Sequence, residues 1–156
     1  MIALLTFITL VGCAGYVPGR QSYWDAKIRE LCAKDGGVTI FERIHISKVE
    51  VDRRVLPMTT DGKLGFTLKE LAHPDAPIYA ERKTTYLNEM NPQVGRVEWT
   101  VIRHSDQAVV ARQISYGRFG GDLPTGLAHD SSFSCPNPNQ MMSDVQRLFL
   151  LEGETK

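Results

Sequence analysis

His129-Asp130-Ser131-Ser132 holds the three residue types of a hydrolytic triad: a base, an orienting carboxylate and a nucleophile. Side chains adjacent in sequence cannot form that relay, because triad members converge from separate elements. No G-x-S-x-G elbow is present, so the strained turn that exposes such a serine is missing. The run suits a turn in which Asp and Ser bond nearby backbone groups. A hydrolase would require His129 and a distant carboxylate to meet at Ser131, Ser132 or Ser134. His45, His73, His104 and His129 are scattered, and none falls in H-x-x-x-H or H-E-x-x-H. That spacing offers no metal site. Gly117-Arg118-Phe119-Gly120-Gly121-Asp122 is the most distinctive local composition. It is not a phosphate loop, since no Gly-Lys-Ser/Thr follows, and it suits a strand ending in a bulge and a turn with positive φ. No catalytic residue, metal or cofactor is assigned.

Binding chemistry has better candidates. Aromatic residues and arginine are enriched where partners dock, which points to Tyr116, Arg118 and Phe119, with Asp122 beside them. Arg118 would serve as an anion contact. Trp24 and Trp99 are expected in the core; a carbohydrate platform would need one of them exposed.

The three cysteines carry the clearest signal. Ile2 to Val11 is apolar and is followed by Gly12 and Cys13. An apolar stretch of about 7–15 residues ending in small residues reads as a secretory leader, too short to span a bilayer. Leu10-Val11-Gly12-Cys13 resembles a bacterial lipobox. The resemblance implies cleavage after residue 12, a diacylglycerol thioether on Cys13 and usually an N-acyl chain. Each buried methylene contributes about 0.8 kcal/mol, so two or more chains anchor stably. One element of a leader is missing, because no Lys or Arg precedes Arg20. Ala14 follows the cysteine where inner-membrane retention would have Asp, which by the same resemblance implies the outer membrane, facing the periplasm. With Cys13 acylated, Cys32 and Cys135 remain as a pair. In an oxidising periplasm they are expected to form a disulfide. Closing a loop of that size is worth about 4.7 kcal/mol in the chain-entropy model. A metal site built on the two thiols would lack C-x-x-C or nearby His spacing.

Residues 13–156 make one ordinary domain, long enough for a single core. No later stretch is apolar enough to cross a membrane. Lys+Arg and Asp+Glu are each 18, a formal net charge of zero. That balance argues against nucleic-acid binding, which needs clustered positive charge.

Residues 13–21 read as a Gly- and Pro-containing tether, and 22–156 as the domain. Ser22 suits an N-cap, with Asp25 three residues on. Trp24, Ile28, Leu31 and Cys32 form one helix face over about 23–34, closed by Gly36. Val38 to Ile46 alternates and predicts a half-buried strand, with Val49-Glu50-Val51 extending it or forming a return. Residues 67–72 suit a helical turn. Ile78 to Met90 is β-favourable and is broken by Asn91-Pro92. Val97–Ile102 and Val109–Tyr116 alternate around Ser105-Asp106-Gln107, which predicts an antiparallel hairpin. Met141, Val145, Leu148 and Phe149 have helical spacing, while Val145–Leu151 equally suits a final strand.

Leu31–Ile40 (LCAKDGGVTI), Tyr116–Asp122 (YGRFGGD) and Ser132–Pro136 (SFSCP), together with the lipobox, resemble blocks of small, uncharacterised proteobacterial lipoproteins. The resemblance implies the Gram-negative envelope and no activity.

The fold expected is α+β: an N-terminal helix on an antiparallel sheet of about four strands, with the C-terminal segment tied back by Cys32–Cys135. The function expected is a lipid-anchored envelope protein with a structural or partner-binding role. The alternative is a small cell-wall hydrolase, or an inhibitor of a cell-wall-degrading enzyme that inserts Gly117–Asp122 as a loop. Exclusion of mobile elements is a further class that no residue tests.

Overall fold

The computed structural model describes residues 20–53, 55–58, 62–121 and 131–151. Cys13, Asp122 and His129 lie outside them. Helix α1 occupies 20–35. It is followed by β1 (Gly37–Ile40), β2 (Ile44–Ile46), α2 (Lys48–Asp52) and a 3-10 turn (Lys69–Leu71). Then come β3 (Ile78–Asn88), β4 (Gln93–Arg103), β5 (Val109–Phe119), β6 (Ser132–Cys135), α3 (Pro138–Gln146) and β7 (Phe149–Leu151). The architecture is α+β, with a five-stranded antiparallel sheet in the order β1-β5-β4-β3 and β6 also paired to β5. β2 and β7 form a second, parallel pair.

The β4–β5 hairpin turns where the alternation breaks, at 104–108, with Gln107 taking φ 60°. Its register is Trp99↔Gln113 and Gly95↔Gly117, with a shift between Val101 and Ile102. β1 lies against β5 with Gly37 opposite Ile114. β6 continues the same edge, with Cys135 opposite Tyr116. Successive side chains of a strand point to opposite faces, so this sheet has two distinct sides.

α1 covers one side. Ile28 is fully buried and packs with Cys32, Val94, Ile114 and Tyr116, flanked by Trp24, Leu31, Phe133 and Cys135. Burying one isoleucine contributes about 2–3 kcal/mol. On the other side Ile44, Ile46, Val55, Leu56, Leu64 and Leu148 pack over Ile78, Val101 and Ala111. Gln146 ties α3 to this layer: its Nε2 donates to the Leu64 carbonyl at 2.6 Å and its Oε1 accepts from the Leu64 N–H at 3.0 Å.

Several expectations are corrected. Ser22, expected as the N-cap, lies inside α1, which already includes residue 20, and the Asp25 carboxylate accepts from Arg118. The single strand expected over 38–46 is two strands in different sheets. At the break, the N–H groups of Phe41 and Glu42 both donate to the Val110 carbonyl. Val49-Glu50-Val51 is helical, not extended, because Ser47 and Glu50 form a capping box. Each member bonds the other's backbone N–H, which starts a helix. Both readings of 141–151 hold in part: α3 ends at Gln146 and β7 begins at Phe149.

Candidate functional site

The residues expected to form a docking patch do not share a surface. Tyr116 and Arg118 alternate onto the side that α1 covers, and both are about 5% exposed. Phe119, one position on, is 57% exposed. Arg118 is therefore corrected from an external anion contact to an internal clamp. Its Nε donates to Asp25 Oδ1 at 2.6 Å, and its Nη1 donates to the Gly120 carbonyl and to Ser131 Oγ at 3.1 Å. A guanidinium removed from water must find such partners, and Arg118 finds them within the fold. Gly120 N–H also donates to the Ser131 carbonyl at 2.9 Å, so Gly120 and Ser131 are held side by side. Gly120 and Gly121 take φ of 81° and 90°, the positive-φ turn the glycines suggested.

Tyr116 Oη donates to Asp35 Oδ1 at 2.7 Å. Burial pushes this phenol above its ordinary value, and the Asp35 bond adds to that. Directly opposite Tyr116, Arg96 donates from Nη1 to Glu98 Oε2 at 2.6 Å, and Arg112 lies 3.2 Å from the other oxygen. The Arg96 guanidinium holds the Glu98 carboxyl below the usual carboxylate range, against partial burial.

The Cys32–Cys135 disulfide joins α1 to β6, with Cα atoms 6.0 Å apart across a separation of 103 residues. Gly36 is the cap of α1 and lies hard against this bridge. A Cβ there would stand 2.7 Å from both the Cys32 carbonyl oxygen and its Sγ, closer than packed atoms come. Only glycine leaves room for the sulfur.

The expected serine chemistry finds no assembled site. Ser131 Oγ accepts from Gln21 Nε2 and Arg118 Nη1, each at 3.1 Å. Ser132 and Ser134 are exposed on β6. His45, His73 and His104 are exposed. Among the described residues no group of three His, Cys, Asp or Glu could hold a metal ion. Gly117 and Phe119, expected in a protruding loop, belong to β5.

The surface that sequence reasoning missed lies on the opposite side of the sheet. Trp99 is half-buried rather than core. Its ring meets Phe66 at 5.9 Å between centroids, and the Arg82 guanidinium lies 5.7 Å from it. Beyond Trp99, α3 stands off the sheet and leaves an open cleft of about 300 Å³. Phe66, Trp99, Gln113, Met141, Met142 and Val145 line it. Methionine adapts its shape to an incoming group, and tryptophan offers a large rigid face. Gln113 supplies a polar group at the floor. Beyond the cleft Tyr86, Gly95, Gly117 and Ser134 form one row across four strands, with Tyr86 and Ser134 exposed. The Tyr86 ring lies over Gly95, whose missing Cβ would sit 3.7 Å from it. The signal for the cleft was present, since Met141 and Val145 fall one helical turn apart. Their spacing reads equally as core, which is why it was not singled out.

Comparison with protein-family models, curated proteins and solved structures finds no match.

Proposed function

We propose that this chain is a lipid-anchored protein of the bacterial envelope whose folded domain docks a partner and performs no catalysis. The carrying observation is the cleft between Trp99 and α3, an open apolar trough with one polar group, lined by residues of the kind that anchor partners. The leader-like run ending at Cys13 supports the address. A cystine between Cys32 and Cys135 suits an oxidising compartment. The partner is an envelope protein that inserts an apolar side chain beside Trp99.

The test is affinity capture from envelope extracts with the tagged full-length chain, alongside Trp99→Ala and Cys13→Ser. The wild type is expected to partition into detergent and retain a defined protein. Trp99→Ala should lose that protein while still partitioning and melting cooperatively. Cys13→Ser should fail to partition or remain unprocessed. Equal capture by wild type and Trp99→Ala would overturn the cleft as the docking site. A Cys13→Ser form that is shortened as the wild type is and still partitions like it would overturn the anchor.

A further inference from the structure

We infer that the outer edge of β3 pairs with the same edge of a second copy of this chain, antiparallel and centred on Thr84. The inference is independent of the cleft and of any lipid. β3 ends the sheet order, so one side of the strand has no neighbouring strand among the described residues. Which backbone groups face outward is fixed by one hydrogen bond. Ala80 N–H donates away from β4, to the Thr67 carbonyl, at 2.8 Å. In an antiparallel ladder each residue turns its N–H and C=O the same way, and successive residues alternate. Arg82, Thr84 and Tyr86 therefore present both groups to the outside, while Glu81, Lys83 and Thr85 bond β4. Residues 81–87 are all exposed, and Tyr86 is 52% exposed.

The length of the open edge selects the register. Upstream it is closed at Ala80 by the bridge to Leu68. Downstream the ladder is irregular after Tyr86 and the strand ends at Asn88. Thr84 is the midpoint between Ala80 and Asn88, so a two-fold axis there uses the whole window. Charge selects the same register. Centring on Arg82 or on Lys83 would place two like charges directly opposite, which destabilises a strand pair. Centring on Thr84 sets Thr84 against Thr84, Lys83 against Thr85 and Arg82 against Tyr86 of the second copy. The last pair allows a guanidinium to meet a phenol ring. Six backbone hydrogen bonds form, two at each of the three facing pairs. The contact is isologous and closed, as a two-fold requires. The charges at 81–83 guard the edge against other strands but oppose no like charge in this one arrangement.

The experiment is sedimentation of the full-length chain in a non-ionic micelle, with amide hydrogen exchange at 82, 84 and 86, up to about 1 mM, the weak end of specific affinity. The wild type is expected to self-associate and to protect those three amides as concentration rises. Thr84→Pro removes an outward N–H and leaves the β4 ladder bonded; it should weaken association at least about tenfold. Tyr86→Glu places a carboxylate opposite Arg82 and should tighten it. This second variant keeps the test valid if proline disturbs the fold. A monomer throughout, or association unchanged by both variants, would overturn the inference. So would protection of the three amides by a different protein with no dimer formed.

Discussion

The two sides of the central sheet are held by different means. Under α1, packing is reinforced by a cystine and by three polar contacts: Asp25–Arg118, Asp35–Tyr116 and Arg96–Glu98. Under α2, β2 and β7 the buried core is aliphatic, from Ile44 and Ile46 to Leu148, with Phe66 and Phe149 at its margin, and a cleft opens beside Trp99. Aromatic and arginine residues occur on both sides, but their availability differs. Arg118 is desolvated and bonded to Asp25, Gly120 and Ser131. Trp99 is half-buried, with Phe66 and Arg82 beside its ring and the open cleft along it. Residue type alone therefore does not locate a docking surface; what matters is whether the donors and the ring faces are already used.

That contrast is most directly broken at the disulfide. Cys32→Ala and Cys135→Ala should each lower stability by about 4 kcal/mol. Their urea midpoints should coincide, since each removes the same bridge. A double variant much less stable than either single would show that the thiols act separately. Arg118→Ala comes next, at about 3 kcal/mol, because it takes the donor from Asp25, from the Gly120 carbonyl and from Ser131 Oγ. A double-mutant cycle with Asp25→Ala should return a coupling above about 1 kcal/mol, and additive losses would remove the clamp from the comparison.

The smallest effects are those of pH. The Glu98 carboxyl is lowered in the folded chain by Arg96. Its contribution is present above the unfolded carboxylate value and lost as pH falls through the folded one. Tyr116 is raised, chiefly by burial. Its contribution is full below the ordinary phenol value and lost as pH rises through the folded one. Melting temperature should therefore droop at both extremes. Glu98→Gln should flatten the acid limb and Tyr116→Phe the alkaline limb; limbs unchanged by these substitutions would place the sensitivity elsewhere.

The elements with strong periodicity were legible. The α1 stripe and the β4–β5 hairpin follow directly from Trp24, Ile28, Leu31 and Cys32, and from alternation on either side of Ser105. The break within 38–46 was hidden because Ile40 and Ile44 keep the same parity across it, so alternation continues while the chain leaves one sheet for another. The helix at Lys48 was readable from Ser47 and Glu50, yet Val49 and Val51 suggested a strand. Arg118 could not be read as internal, since its burial depends on Asp25, 93 residues away. The cleft depends on how far α3 stands from Trp99, a distance no local pattern encodes.

β6 is fastened at both of its ends. At one, the Gly120 N–H and the Arg118 guanidinium reach Ser131; at the other, Cys135 is bonded to Cys32. A reductant would release only the second, so this four-residue strand keeps an anchorage that no change in thiol chemistry removes.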